Sequence, residues 1–377
     1  MENKRILILY APLGAGHGSC AKAIAEAFAL NYPDFEVKTA NVLDFAFEIF
    51  KQGLPRVFVY VNSKIPFLYK WIYDSFNHQS RYNFLNQMSD VFIKKSHFVE
   101  FINEFNPDFI LSTNPLPMQL VSLTKHKKII NIISANVCTD FGFHSLWYNP
   151  DVNYYFVANE DIKKALVEHG ASQEKIVVAG IPVSLKFSKE TDRRKISAGL
   201  NFNTNTPTLL IVGGKIKYKT ILKIIEKTGE KNKAQFIIIS GRDKNLQEEL
   251  EKSNLKKNPN VKIFGFVNNL QDYMAASDLI LTKAGGLTVA ECMQKNLPMV
   301  INDFIPGQEE DNVKYIVERG AGIEAKNTRD AIKIINDLFN SQEKIAIMKK
   351  NCEKIAKPDA AKDLADFVAL KIKNGYV

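Results

Sequence analysis

Short apolar runs rich in Val, Ile and Leu alternate with amphipathic stretches along the chain. In the first half the runs occupy residues 6–10, 35–39, 109–113, 128–134 and 175–179. In the second half they occupy residues 208–213, 235–240, 260–265, 278–282 and 298–302. Runs of this length between helical patterns are typical of parallel sheets covered by helices on both faces. The pattern predicts an α/β protein with two doubly wound, Rossmann-like domains.

A charged stretch without hydrophobic periodicity, residues 180–194, separates the two sets of strands. A length of 377 residues also fits two domains of average size better than one. We therefore expect an N-terminal domain at residues 1–186 and a C-terminal domain at residues 187–357. The amphipathic segment 358–377 has no strand after it and is predicted to be a helix that packs back across the junction.

Residues 45–105 break this rhythm, because they contain no convincing strand but hold 16 of the 40 aromatic residues. Aromatic rings interleaved with cations suit a protein that lies in the lipid headgroup layer. A helical insertion with an aromatic core explains the same composition. The segment contains Phe58, Tyr60, Phe67, Tyr69, Trp71, Tyr73 and Phe76 among Arg56, Lys64 and Lys70.

The net charge of +9 comes almost entirely from residues 187–260, which carry 16 Lys and Arg against 8 Asp and Glu. Such a surface could bind nucleic acid or anionic lipid, or simply face water. The sequence contains no RRM, KH or helix-turn-helix motif, so a nucleic-acid partner is not predicted.

The four Cys are far apart, which favours a reducing cytoplasm over a disulfide scaffold or zinc site. The first apolar run is broken by Pro12, so we expect a strand there instead of a secretion signal. The sequence has no run of 18 apolar residues, so no transmembrane helix is predicted and any membrane contact is expected to be peripheral.

A glycine-rich loop, residues 14–19, follows the first strand and opens a helix, which is where open α/β sheets bind ligands. The spacing is neither a dinucleotide fingerprint nor a P-loop. His17 lies in this turn, where the positive helix end favours a neutral imidazole. A neutral imidazole is a ready general base. A helix cap or a surface histidine is the alternative.

A second strand, glycine turn and helix occurs at residues 281–291. The backbone amides of Gly285 and Gly286 and the Thr288 hydroxyl suit a phosphate or diphosphate, and Glu291 could bind a ribose diol. Alternatively, Thr288 is a helix N-cap and Glu291 completes its capping box.

The next turn, residues 305–312, opens a helix with polar and acidic groups. Gln308 and Glu309 could bind sugar hydroxyls. An acidic first helical turn, favoured by the helix dipole, is the simpler explanation.

Together these motifs resemble the inverting glycosyltransferases of family 28, particularly the diacylglycerol glycosyltransferases. Three motifs match in order, GAGHGSCAKAIAEAF (14–28), TDFGFHSLW (139–147) and TKAGGLTVAECMQKNLPMVINDFIPGQEEDN (282–312). The second places Thr139, Asp140, His144 and Trp147 at the family's spacing. The resemblance covers most of the chain and implies a GT-B architecture with an active site between two Rossmann-like domains.

The resemblance also implies roles for individual residues. His17 takes the position of the catalytic base, and Asp140 and His144 fall on the acceptor side. Gln308 and Glu309 bind the donor sugar, and Glu291 binds the ribose. The remaining donor-binding positions are Gly213, Gly214, Lys215, Phe266, Val267, Gly285, Gly286, Leu287 and Thr288. Of these, Phe266 and Val267 meet uracil, and Gly285, Gly286 and Thr288 meet the diphosphate.

The implied partners are UDP-glucose or UDP-galactose as donor, diacylglycerol as acceptor and an anionic membrane at its cytoplasmic face. No metal or other cofactor is expected, because the sequence has no D-x-D motif and a helix N-terminus can stabilise the charge on departing UDP. The resemblance also gives the aromatic segment 45–105 a purpose in reaching a lipid acceptor.

One departure from the family concerns the loop after residue 212, where lysines at positions 215, 217 and 219 replace the later glycines. Lysines there could neutralise phosphate directly or accompany an altered donor site. Three rivals therefore stay open: an N-acetylglucosamine transferase acting on an undecaprenyl-linked peptidoglycan precursor, a UDP-sugar 2-epimerase, and a non-catalytic sensor of UDP-sugar or lipid.

Overall fold

The computed structural model describes residues 4–14, 16–46, 51, 53, 56, 57, 60, 61, 65–75, 97–213 and 216–374. The chain divides into two compact units. Unit 1 comprises Met1–Leu185, Ile305–Asp311 and Lys357–Val377, and unit 2 comprises Lys186–Phe304 and Asn312–Ala356. Residues 305–311, which the predicted limits place in the C-terminal domain, thus belong to unit 1.

Unit 1 contains a six-stranded parallel sheet in the order β2-β1-β3-β4-β5-β6. Its central strands are apolar on both faces because helices cover both sides, as parallel sheets require. The strands are β1 (Arg5–Tyr10), β2 (Glu36–Asn41), β3 (Phe109–Ser112), β4 (Ile133–Val137), β5 (Tyr154–Phe156) and β6 (Ile176–Val177).

Unit 2 contains a second six-stranded parallel sheet in the order β12-β11-β10-β7-β8-β9. Its core is an aliphatic cluster of Leu, Ile and Val from the strands and the flanking helices. The strands are β7 (Thr208–Val212), β8 (Gln235–Ile239), β9 (Val261–Phe264), β10 (Leu279–Lys283), β11 (Met299–Asp303) and β12 (Gly322–Glu324).

The described α-helices lie in the segments between strands, except for the last three, which follow β12. Those in the first half are α1 (Gly16–Asn31), α2 (Pro66–Ser75), α3 (Phe98–Phe105), α4 (Pro115–His126), α5 (Glu160–Glu168) and α6 (Arg193–Gly199). They are followed by α7 (Tyr218–Asn232), α8 (Lys244–Lys252), α9 (Leu270–Ala275), α10 (Gly286–Gln294), α11 (Glu310–Glu318), α12 (Thr328–Phe339), α13 (Gln342–Ile355) and α14 (Ala360–Lys373). Short 3₁₀ turns lie at Val42–Phe45, Ser145–Trp147, Gln173–Lys175 and Asn254–Lys257.

The C-terminal helix α14 belongs to unit 1 and packs against α1. The Tyr32 hydroxyl donates to Asp366 at 2.8 Å, and the Phe367 ring meets Tyr154 and Phe156 edge-on. The last helix of the chain thus completes the core of the first unit.

The predicted α/β class and the two Rossmann-like units of a GT-B protein are confirmed. All ten predicted strands are present, although the one expected at 128–134 forms at β4, residues 133–137. Lys128, with a φ of 55°, lies in the turn that ends α4, so the apolar run starts before the strand does. The strands β5 and β12, of three residues each, were not predicted.

The strand orders locate the ligand-binding edges. In unit 1, β1 lies between β2 and β3, and in unit 2, β7 lies between β8 and β10. The connections leave in opposite directions at these points, which opens a crevice at the carboxyl ends of the strands. The loops after β1 and β3, and those after β7 and β10, are therefore the expected binding loops.

The helix α2 is the described centre of the aromatic segment and has two unlike faces. Phe67, Leu68 and Trp71 are exposed, whereas Tyr69 and Tyr73 are partly buried. Residues four apart share a helix face, which separates the two sets. Phe58, Lys64 and Phe76 lie outside the described residues. In the part of the chain that the structure describes, no helix has the length and apolar character needed to cross a membrane.

Candidate active site

A pocket of about 250 Å³ opens in unit 1 at the carboxyl ends of β1, β3 and β4. It combines residues from five regions that are distant in sequence. Its lining includes His17, Tyr69, Tyr73, Asn114, Asp140, His144, Trp147 and Gln308. The pocket therefore brings together four of the candidate site residues, His17, Asp140, His144 and Gln308.

His17 lies in the first turn of α1 and is buried, with 7% of its surface exposed. Its Nδ1 lies 2.7 Å from the backbone oxygen of Thr113 and 3.0 Å from Oγ1 of Thr139. A carbonyl oxygen can only accept, so Nδ1 carries the hydrogen and donates it to Thr113. The Thr113 hydroxyl donates to the His17 carbonyl at 3.0 Å and fixes the same loop. This tautomer leaves the lone pair on Nε2 to accept a proton.

Burial lowers the pKa of His17 from 6.5 to about 4, and the bond to the Thr113 carbonyl opposes this shift only in part. The imidazole is consequently neutral at neutral pH. From the sequence, the neutral state of the His17 imidazole was attributed to the positive end of the helix. In the structure, the largest cause of its lowered pKa is desolvation.

His144 has both ring nitrogens engaged. Nδ1 accepts the Leu146 N–H at 3.2 Å, and Nε2 donates to the Tyr73 carbonyl at 2.9 Å. The imidazole also lies against the Tyr73 ring, with centroids 3.9 Å apart, and burial lowers its pKa. His144 therefore ties the loop after β4 to α2 and does not offer a free nitrogen for proton transfer.

Asp140 is also buried and lines the pocket. The pKa values of Tyr69 and Tyr73 are raised by the burial of these two side chains and, in addition, by the negative charge of Asp140. Two residues further along, Gly142 lies so close to the Asp311 carboxyl that any Cβ there would overlap it. The TDFGFHSLW loop is thus held against residues 305–311.

The turn at residues 305–309 places Gln308 in the pocket. The Glu309 N–H donates to the Ile305 carbonyl at 2.9 Å, and Glu309 Oε2 accepts the Ile305 N–H at 2.8 Å. Glu309 is buried and its carboxylate closes this turn. Gln308 Oε1 accepts a hydrogen bond from the Tyr69 hydroxyl at 2.9 Å.

The helix α2 is anchored to this turn by further contacts. Lys70 Nζ forms an ion pair with Glu310 at 2.7 Å. Gly307, with a φ of 84°, lies where a Cβ would come within 3.1 Å of the Tyr73 ring. Sequence reasoning placed Tyr69 and Tyr73 with the interfacial aromatics. Their four-residue spacing, out of phase with Phe67 and Trp71, was the signal that separates them.

The predicted donor-binding residues of unit 2 form a second group. Gly213 follows β7, Phe266 and Val267 follow β9, and Gly285 follows β10, so all lie at the carboxyl edge of one parallel sheet. A Cβ at Gly213 would come within 3.1 Å of two backbone oxygens at the end of β8, so any side chain here would crowd that backbone. Gly214 and Lys215 lie outside the described residues.

The alternative that Thr288 caps α10 is wrong. Gly285 is the N-cap, with a φ of −66°, and its carbonyl accepts the Val289 N–H at 2.9 Å. The N–H groups of Gly286, Leu287 and Thr288 consequently occupy the first turn, where no carbonyl of the same helix precedes them. Such a helix start favours an anion.

Glu291, in the same helix, has its pKa raised by burial from 4.5 to about 8. Its carboxyl group is therefore mostly protonated at neutral pH. Phe266 is 60% exposed, and the Arg242 guanidinium lies 5.2 Å from its ring centroid. Within the described residues, no three His, Cys, Asp or Glu side chains are grouped so that they could hold a metal ion.

Two protein-family models match successive parts of the chain. The monogalactosyldiacylglycerol (MGDG) synthase family matches residues 17–183, and the glycosyltransferase family 28 C-terminal domain matches residues 208–364. The chain is 30% identical to a processive diacylglycerol β-glucosyltransferase of Staphylococcus epidermidis over 92% of this chain and 88% of that one. It is also 30% identical to monogalactosyldiacylglycerol synthase 3, chloroplastic, of Arabidopsis thaliana, over 96% of this chain and 80% of that one.

Solved structures share the fold at much lower identity. Acinetobacter baumannii MurG matches with a TM-score of 0.57 and 14% identity, over 97% of this chain and 99% of that one. A UDP-GlcNAc 2-epimerase of Neisseria meningitidis, bound to UDP-GlcNAc, matches with a TM-score of 0.59 and 15% identity, over 97% of this chain and all of that one. These structural similarities establish only the fold and do not distinguish a transferase from an epimerase.

Proposed function

Because this chain belongs to the family of diacylglycerol glycosyltransferases, we propose that it transfers a hexose from UDP-glucose or UDP-galactose to the 3-hydroxyl of 1,2-diacylglycerol with inversion. It is a UDP-sugar-dependent hexosyltransferase of the GT-B class. The observation that carries the proposal is the neutral His17, whose Nε2 can accept a proton in a pocket that Gln308 also lines. The epimerase and peptidoglycan alternatives gain no such support from the relatives at 30% identity.

In this mechanism Nε2 of His17 takes the proton from the acceptor hydroxyl. The oxygen attacks the anomeric carbon from the face opposite UDP, and the bond from that carbon to the diphosphate oxygen breaks with its electron pair on UDP. The imidazolium then returns its proton to solvent. The bond from Nδ1 to Thr113 holds the ring in the required tautomer throughout.

The donor is assigned to the carboxyl edge of unit 2. The first-turn amides of α10, including that of Thr288, accept the diphosphate and stabilise the charge that develops on departing UDP. Glu291 binds the ribose, while Phe266 and Val267 meet uracil. This arrangement needs no divalent ion, so we expect turnover to persist after exhaustive treatment with EDTA.

The acceptor side includes a membrane contact through the outer face of α2. Phe67 is 83% exposed and Trp71 is 57% exposed, which is costly in water and favourable in a headgroup layer. The net charge of +9 favours anionic lipid. We place the protein at the cytoplasmic face as a peripheral protein, in keeping with its four free, buried cysteines.

The test of the transfer reaction is UDP release with each UDP-sugar, with and without diacylglycerol vesicles, in wild type and His17→Ala. We expect lipid-dependent release and a glycolipid product that the substitution abolishes. His126→Ala, on an exposed histidine of unit 1, is the matched control and should retain turnover. Absence of glycolipid with either donor, from protein that binds the vesicles, would contradict the proposed acceptor or donor.

Membrane docking has its own test in flotation with anionic and neutral vesicles. Trp71→Ser should reduce binding to anionic vesicles severalfold, because it removes a large exposed ring from the docking face. Ile347→Ser in unit 2 removes a side chain of 51% exposure and should leave binding unchanged. Equal losses in both variants would refute docking through α2.

A further inference from the structure

The hydrogen bond from Tyr69 to Gln308 connects the inner face of α2 to the catalytic pocket. We propose that Tyr69 is a positioning residue that orients the Gln308 amide toward the hexose of the donor. The inference rests on the proposed function, because it takes a UDP-sugar as the ligand. It concerns a residue outside the three motifs that carry the family resemblance.

The argument starts from the two unlike ends of an amide. Oε1 can only accept and Nε2 can only donate, so an unrestrained glutamine presents either end to a ligand. The Tyr69 hydroxyl occupies Oε1 at 2.9 Å. Among the described residues, Nε2 has no recorded hydrogen-bond partner, which leaves its two N–H groups for the pocket that Gln308 lines. Sugar hydroxyl oxygens accept such bonds.

The Tyr69 hydroxyl keeps the proton that it donates to Gln308 Oε1. Burial, with the nearby charges of Asp140 and Glu309, raises its pKa far above the working range, so it keeps its proton. Its helix is held in place on both sides. Lys70 pairs with Glu310, and His144 donates to the Tyr73 carbonyl. The amide is consequently oriented before the donor arrives, which removes an ordering cost from sugar binding.

The experiment is calorimetric titration of wild type and Tyr69→Phe with UDP, UDP-glucose and UDP-galactose. The substitution removes one oxygen atom and keeps the ring that stacks on Tyr73. For the sugar nucleotide that wild type binds more tightly than UDP, we expect the Kd to rise about fivefold to tenfold, the worth of one oriented hydrogen bond. The Kd of UDP, which lacks the sugar, should not change. Tyr154→Phe, on β5 away from the pocket lining, controls for loss of a hydroxyl in unit 1.

A double-mutant cycle with Gln308→Ala separates orientation from general support. If Tyr69 acts through the amide, Tyr69→Phe has no further effect on sugar-nucleotide binding once Gln308 is truncated. Additive losses, or an equal loss for UDP, would overturn the proposal. So would wild type binding no sugar nucleotide more tightly than UDP. No acceptor is present in these titrations, so failure of the diacylglycerol assay and failure of the Tyr69 role are separate results.

Discussion

Acidification should weaken unit 1 through His17, by an amount that follows from its burial. Folding lowers the pKa of this residue from 6.5 to about 4. Between these values the unfolded chain binds a proton at His17 and the folded chain does not, so the free energy of unfolding falls as the pH falls. Each pKa unit corresponds to about 1.4 kcal/mol, which gives about 3 kcal/mol over the whole window and about 2 kcal/mol between pH 7 and pH 5.

The assay uses the distribution of tryptophan. The sequence has two, Trp71 and Trp147, and both belong to unit 1. Urea unfolding followed by tryptophan fluorescence therefore reports on this unit. We compare wild type with His17→Gln at pH 7 and pH 5. Wild type should lose about 2 kcal/mol more than the variant on acidification, because glutamine does not titrate.

The comparison cancels the contribution of His144, whose pKa is also lowered and which is present in both proteins. If wild type and His17→Gln lose the same free energy between pH 7 and pH 5, His17 is not held neutral by burial. The argument for its tautomer and for its role as a base at neutral pH would then fail.

Three further predictions concern other positions. Gly142→Ala should destabilise the protein by about 1–3 kcal/mol in thermal unfolding, because the new Cβ overlaps the Asp311 carboxyl, whereas Gly199→Ala, with open space around it, should not. His144→Ala removes the hydrogen bond from His144 Nε2 to the Tyr73 carbonyl, which ties the loop after β4 to α2, so trypsin should cleave after Lys70 several times faster; an unchanged rate would contradict that role. Glu291→Gln should become increasingly stabilising from pH 5 to pH 8, by on the order of 4 kcal/mol, because folding raises the carboxyl pKa from 4.5 to about 8 and ionisation there favours the unfolded chain. A stability difference that stays constant with pH would refute this burial.

Much of the fold was predictable because its information is local. Buried parallel strands are continuous apolar runs, and ten of the twelve strands in the described part of the chain were found from such runs. The exceptions are instructive. The strand β12, with the sequence Gly-Ile-Glu, has no continuous apolar run, and the start of β4 depends on where the preceding turn ends. Pairing with neighbouring strands decides both.

The candidate site was predictable in residue type but not in arrangement. The glycine turns, His17 and Gln308 stand out in the sequence because their motifs are contiguous. The partner that fixes the tautomer of His17 is a carbonyl 96 residues away, and a backbone atom leaves no mark in the sequence. Thr288 was considered as the alternative N-cap of α10 because capping statistics favour a hydroxyl, whereas the backbone places Gly285 there.

The sequence by itself therefore determined the class of fold and the order of its elements, and it supplied the candidate reactive groups, because each depends on neighbours along the chain. Only the tertiary structure decided which groups meet, since burial and long-range hydrogen bonds depend on the packing of distant segments. The lowered pKa of His17, the raised pKa of Glu291 and the bond from Tyr69 to Gln308 all arise from that packing.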